Sequence, residues 1–365
     1  MAVIAMQVKE ALDHPQADTL RVYRFEAPGQ TAVQVVANQD NVYAVGDVAA
    51  VALVGTVLAD GMEIWRTKLR EISSAGMALG KTDAAPGSDL TADHGARTLA
   101  AEVRVLRWTS IELLHNVKRE LVALAALSGE GLPVVRYRAK VKLHGTNAGV
   151  QIHPDGRVVA QGRKMLLSVE EDNAGFARWV ESAKESFAAM ARPEELVVLY
   201  GEWCGPGIQK GVAINDIEEK IFAVFAVQLG DPLREDARIV SDPEAIAAYV
   251  PRHPRVHVLP WQGEDLKIDF NAPQAAVEAL NAHVEAVEQS DPWVKEVFGV
   301  SGTGEGLVLY PLLGGSPLEG DDREAVTALL FKSKGEKHRV RKAKKDVELD
   351  PEVLASIEAF VTTFA

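Results

Sequence analysis

Apolar and polar positions alternate in short runs over the first eighty residues, at 3–8, 20–25, 31–36 and 48–54, separated by turn formers such as His14-Pro15 and Pro28-Gly29. Alternation with a period of two, broken at such intervals, predicts short β-strands, and about five of them predict a small closed barrel. Residues 81–98 are poor in large apolar side chains and rich in turn formers, the composition of a linker. From about residue 100 strand-like and helix-like patterns mix. A strand is predicted at 103–107, a helix opening after Thr109-Ser110 with Glu112 in its first turn, and a hairpin of strands at 134–139 and 148–152. Near-continuous apolar runs at 196–200 and 221–227 read as buried strands, and helices are expected at 173–191 and 274–287. The expected organisation is α+β, with a barrel module and its linker over 1–95 and a second domain over 96–365.

Between the two strands of the expected hairpin lies Lys142-Leu143-His144-Gly145-Thr146-Asn147. A lysine there is either an ordinary surface cation before a glycine turn or an amine presented at a strand end. Arg163 and Lys164 follow a strand at Gln161-Gly162, a placement that suits a phosphate, a ribose or solvent equally. Two carboxylates stand among glycines at strand ends, Glu202 in Gly201-Glu202-Trp203-Cys204-Gly205 and Glu305 in Gly304-Glu305-Gly306. Lys332 and Lys334 fall at i and i+2, on one face of an extended segment. In the first module Arg66, Lys68 and Arg70 alternate with Trp65, Thr67 and Leu69, which places three cations on one strand face. Such a face either grips a nucleic-acid backbone or is merely solvated.

Charge sharpens one of these readings. The net charge is −13, which by itself disfavours a polyphosphate partner. Yet eight Lys and Arg against one acid, Glu336, are packed between Lys332 and Lys345, so positive charge gathers beside one segment, as a phosphate-handling site or a solvated basic helix would have it. A single cysteine, Cys204, leaves no disulfide framework and no multi-cysteine zinc site. No run of eighteen apolar residues occurs, and the first residues lack a signal-peptide pattern, so a cytoplasmic protein without a membrane or evident protein partner is expected.

Taken in order, K-L-H-G-T-N, Q-G-R-K, L-Y-G-E-W-C-G-P-G-I-Q-K-G-V, I-F-A-V-F, G-E-G-L-V-L-Y and F-K-S-K-G-E-K-H resemble the motif series of the covalent nucleotidyltransferases, and specifically of the ATP-dependent RNA ligases. The resemblance covers about residues 105–345 and implies a transferase domain of antiparallel sheets flanked by helices. His144, at the third position of the first motif, favours the RNA-ligase branch over DNA ligases and capping enzymes. Only 31 residues follow Lys334, fewer than the barrel those enzymes carry there. The segment H-P-Q-A-D-T-L-R-V-Y-R-F, with Ser74 to Gly80, resembles the OB-fold of the tRNA-binding type. The whole is thus similar to RNA ligases with an N-terminal OB module, which seal nicks whose 3′-OH strand ends in RNA.

The resemblance implies a role for each residue. Lys142 would attack the α-phosphate of ATP and form a lysyl-adenylate, which needs a neutral amine although free lysine titrates near ~10.4. Lys332, Lys334 and a divalent cation would supply the positive potential for this. Glu202 and Glu305 would hold Mg²⁺ or Mn²⁺. Phe225 would stack on adenine, Arg163 would contact ribose or phosphate, and His144 and Asn147 would serve the phosphate and the sealing step. The nucleic-acid partner would be a nicked duplex. Two departures stand out: the family's Phe-Asp pair is Phe225-Ala226 here, and Lys140 and Val141 occupy the places where related ligases often carry an acid that reads the adenine amino group. The alternatives are an OB protein with an inactive transferase domain, and a DNA ligase or capping-type transferase.

Overall fold

The computed structural model describes residues 2–38, 42–98, 103–193, 195–233 and 237–335. It is a mixed α+β structure of mostly antiparallel sheets. The front sheet has five strands, Val33–Asn38, Leu20–Glu26, Val3–Asp13, Val48–Leu53 and Gly76–Lys81, in that spatial order. It curls until its two edges meet: the Ala75 amide donates to the Gln34 carbonyl at 2.8 Å, and the Val36 amide donates to Ser74 Oγ at 3.0 Å. Inside the curl Tyr23, Phe25, Tyr43 and aliphatic side chains of alternate strand positions form one core.

Residues 81–98, expected as a linker, fold back onto this module. The Ala5 amide donates to the Ser88 carbonyl at 3.0 Å, the Leu90 amide donates to the Val3 carbonyl at 2.9 Å, and Arg97–Thr98 pairs with Thr56–Val57. Leu90, the one large apolar residue of the stretch, is buried and pins it.

Two further sheets carry the rest. The first, here the lysine sheet, orders Glu112–Leu113, Phe331–Lys334, Gly306–Pro311, Val134–Val141 and Gln262–Asp269. The second, the long sheet, contains Thr146–Ile152 paired with Val158–Gly162 and Val197–Cys204, with Ile221–Leu229 beyond. Val198, Tyr200 and Ala226 of the long sheet meet Val308 and Tyr310 of the lysine sheet, so the two sheets share a core. Helices cover their outer faces. Phe176–Ser182 packs on the long sheet, and Leu114–Ser128 and Gln274–Gln289 pack on the lysine sheet through residues such as Val117, Leu280 and Val284.

Several local expectations are corrected. The strands flanking Lys142 do not form a hairpin: they belong to different sheets, and residues 142–145 carry the chain from one to the other. The segment 103–107 is extended but has no strand ladder. Instead the Gln161 side chain exchanges two bonds with the Leu106 backbone, 3.0 and 2.6 Å, and the Gln151 amide donates to the Arg104 carbonyl. Glu112 lies in a strand beside Phe331 rather than in the first turn of a helix, which starts at Leu114. The helix expected at 173–191 is two, Phe176–Ser182 and Lys184–Ala188. The strand expected to end before Glu202 continues through Cys204.

Candidate active site

Along Val134–Val141, Val135, Tyr137 and Ala139 enter the core beneath the helices, so Arg136, Arg138 and Lys140 take the opposite face, where Arg136 and Arg138 pair with Asp265 and Lys140 reaches the Phe225 carbonyl of the long sheet. Lys142 stands just past the strand, its amide donating to the Gly306 carbonyl at 2.8 Å. The crossing that follows is tight: a Cβ on Gly145 would collide with the Trp203 carbonyl oxygen and lie 2.7 Å from Cys204 Cβ. Glycine is therefore required by close approach of the two strands. The Gly145 amide donates to Glu202 Oε1 at 3.0 Å, which fixes the carboxylate beside the lysine loop.

Glu305 is the hub. Lys142 Nζ and Lys334 Nζ each lie 2.7 Å from one of its oxygens, and His144 Nδ1 is 3.4 Å from the oxygen that Lys142 uses. Burial pushes its carboxyl up, but Lys142 and Lys334 outweigh this and leave it below the usual carboxylate range. Glu202 is the opposite case, because burial raises its carboxyl to about 7 against the lowering effect of Lys142. Lys332 donates to the Ile111 carbonyl at 2.5 Å, and burial followed by the charges of Lys334 and Lys142 lowers its amine. Two carboxylates of contrasting proton affinity thus flank one amine, with two more amines beside them.

These groups line a cavity of about 430 Å³, the size range of small-molecule sites. Asn147, Arg163 and Phe225 line it too, and Arg163 donates to Ser110 Oγ at 3.2 Å. The pattern of the sequence does not single out Trp108, Leu259 and Tyr310, which form its apolar wall, nor Lys140 as a wall residue. For Lys140 a signal existed: Arg136, Arg138, Lys140 and Lys142 recur every second residue, which puts all four on one strand face.

Among the described residues no group of three or more His, Cys, Asp and Glu forms a cation site. Glu202 and Glu305 nevertheless fit Mg²⁺ or Mn²⁺ in the manner of phosphate-transfer sites, where one or two carboxylates, waters and substrate phosphates share the ion.

Arg66, Lys68 and Arg70 are not at this cavity and do not share a strand face. Arg66 pairs with Glu324, Lys68 reaches Glu120 at 2.5 Å, and Arg70 occupies the turn of the hairpin Thr67–Leu69 to Ile72–Ser74 with φ 46°. Arg119 adds a return pair to Glu71 at 2.5 Å, and Val22, Val36 and Ile72 pack on Ala123 of the Leu114–Ser128 helix. Two of the three cations therefore hold the front module against the second part of the chain. Of the basic run, Lys332 and Lys334 are at the cavity, while Lys337, Arg339, Arg341, Lys342, Lys344 and Lys345 lie outside the described residues.

The fold is thus α+β, with two facing, mostly antiparallel sheets and a lysine-rich cavity at their junction. The family model of RNA ligase matches residues 135–318, half of the chain. The chain belongs to the RNA ligase family. Among solved structures it is similar to a mutant of Naegleria gruberi RNA ligase with ATP and Mn, at 15% identity over 93% of this chain and 98% of that one with a TM-score of 0.38. The same enzyme with PPi is similar at 15% identity over 92% and 97%, TM-score 0.39. A stretch of 75 residues is 41% identical to the phenylalanine–tRNA ligase beta subunit of Anaeromyxobacter dehalogenans and covers 20% of this chain and 9% of that one. A stretch of equal length is 37% identical to the Methylococcus capsulatus subunit, with the same coverage. The chain thus spans about a tenth of these curated relatives.

Proposed function

We propose that the protein is an ATP-dependent RNA ligase that works through a lysyl-adenylate on Lys142 and seals 3′-OH/5′-phosphate nicks. The observation that carries this reading is the convergence of Lys142 and Lys334 on Glu305 inside a nucleotide-sized cavity. Lys142 Nζ, relieved of its proton, attacks the α-phosphorus of ATP; the N–P bond forms, the P–O bond to pyrophosphate breaks, and pyrophosphate leaves. A 5′-phosphate oxygen then takes the AMP from the lysine, and a 3′-OH displaces AMP to make the phosphodiester.

Lys332 and Lys334 stabilise the charge that gathers on the transferring phosphate, and Arg163 and Asn147 orient the nucleotide and the 5′-phosphate. His144, against Glu305, keeps that carboxylate aimed at the lysines. Glu202 and Glu305 would hold the divalent cation, which when bound neutralises phosphate charge. Phe225, whose ring packs 5.3 Å from Trp108, offers adenine an aromatic wall.

The front module, residues 1–95 and an OB-fold in this reading, presents the nucleic acid to that cavity. No described helix is long and apolar enough to cross a membrane, and the reading includes work in the cytoplasm. The test is to incubate the protein with α-labelled ATP and Mg²⁺ or Mn²⁺ and look for label that survives denaturation. Label that forms and is abolished by EDTA supports the reading; no label with either ion overturns it.

A further inference from the structure

Segment 103–111 lies in neither sheet, yet it supplies Trp108, Thr109 and Ile111 to the cavity. Its Ile111 carbonyl accepts a bond from the Lys332 amine, and its Ser110 hydroxyl accepts one from Arg163. Two of the cations that the ligase reading sets on the nucleotide therefore rest on this segment. Past Ile111 the chain joins the lysine sheet through Glu112 and Leu113, two exposed residues, and so short and exposed a ladder opens readily.

The other end is held by buried side chains. Gln161 Oε1 accepts from the Leu106 amide at 3.0 Å and Gln161 Nε2 donates to the Leu106 carbonyl at 2.6 Å, the two bonds that a neighbouring strand would make. The Tyr200 hydroxyl donates to the same carbonyl at 2.8 Å, and Gln151 Nε2 donates to Gln161 Oε1 at 2.6 Å and to the Arg104 carbonyl at 2.7 Å. Gln151, Gln161 and Tyr200 are all buried. A Cβ on Gly149 would stand 3.0 Å from Gln161 Nε2, so the glycine leaves this side chain room to lie across its neighbour strand.

A buried amide costs more than valine or leucine unless its bonds are made, and a fully bonded network fixes position. Apolar packing does not do the same. The Trp108 ring lies 5.0 Å from that of Tyr200 and 5.3 Å from that of Phe225, and such non-directional contacts hold the segment onto the sheet without setting how far along it the chain sits. Two bonds to the amide and carbonyl of one residue do set it. A slip along the sheet would carry the Ile111 carbonyl away from Lys332.

Resting on the ligase reading, we infer that Gln161 is a positioning residue for the first chemical step. It fixes the register of residues 106–111 and thereby holds the Ile111 carbonyl where it aims Lys332 at the transferring phosphate.

The experiment measures the maximal rate of covalent labelling from ATP, and the ATP concentration giving half of it, for full-length wild-type, Gln161→Met and Gln161→Asn proteins, each assayed well below its own melting temperature. Methionine keeps the volume of the side chain and makes neither bond. Gln161→Met lowers the maximal rate about 10-fold or more, because a misplaced catalytic group loses rate steeply, while the ATP requirement stays within about 3-fold, because the aromatic wall remains packed. Gln161→Asn keeps the polarity but is one methylene too short to make both bonds. It shows the same split and serves where the methionine variant folds poorly. A maximal rate within about 2-fold of the wild type in the variants, or an ATP requirement that rises as steeply as the rate falls, overturns the inference and leaves the ligase reading intact. Absence of any label from the wild type would overturn both.

Discussion

Replacing Glu305 by glutamine removes one negative charge from the midst of Lys142, Lys334 and His144 and leaves the shape of the site unchanged. The Glu305 side chain is 2% exposed, while Lys142 and Lys334 are 22% and 23% exposed. Breaking a buried pair by removing one partner costs about 3–5 kcal/mol, and the partial exposure of both lysines discounts this to about 3 kcal/mol. For a domain of this size the loss corresponds to a fall in melting temperature of about 6–12 °C. The pH dependence has a definite sign. The carboxyl is held below its ordinary 4.5 in the folded protein, so its stabilisation is present at neutral pH and is lost as pH falls through the folded value. The gap between wild type and Glu305→Gln should thus be largest near pH 7 and close in acid. Urea melts of both proteins from pH 7 down through the acid range, to the lowest pH at which the wild type still folds, measure it. A glutamine variant as stable as the wild type at pH 7, or a gap that does not change in acid, would refute the claim that Glu305 is the electrostatic hub.

Gly145→Ala is expected to cost at least about 2 kcal/mol and to depress labelling, since its Cβ meets the Trp203 and Cys204 strand and displaces the loop that holds Lys142 and Glu202; a thermal melt and a labelling assay check it. Lys140 titrates at about 7 when folded and near 10.5 when unfolded, so it makes the wild type lose stability as pH falls from about 10 to 7; Lys140→Met should lack that slope, and parallel pH curves for the two would contradict it. Lys68→Glu and Glu120→Lys should each destabilise the chain by about 1–2 kcal/mol, and the double swap should restore at least half of it; simple additivity in the cycle would mean that the pair does not hold the front module.

Legibility in the sequence followed how local the cause was. Lys142, Glu202, Glu305, Lys332 and Lys334 stand beside apolar runs with strand periodicity, so their places at strand ends or on strand faces could be read, and the structure gathers all five around one cavity. The crossing at Gly145 could not be read, because strands adjacent in sequence commonly pair, whereas here Val134–Val141 pairs with Gln262–Asp269 and Gly306–Pro311 and Thr146–Ile152 pairs with Val158–Gly162 and Val197–Cys204. Residues 103–107 had a strand's composition, but their partner is the side chain of Gln161 rather than another strand's backbone. The alternation of Arg66, Lys68 and Arg70 suggested one exposed face, whereas their use is decided by Glu120 and Glu324, far along the chain, and by a two-residue turn at Arg70. The linker composition of 81–98 hid Leu90, whose burial folds the stretch onto the front module.

The central claim is that Lys142 carries the nucleotide. The direct measurement is mass spectrometry of peptides from the full-length protein after incubation with ATP and Mg²⁺ or Mn²⁺, read alongside Lys142→Ala and Lys142→Arg. The account expects one AMP on the peptide containing Lys142, attached to that lysine, and none on either variant, since arginine stays cationic at any working pH. AMP on another lysine, or label that persists in Lys142→Ala, would contradict it.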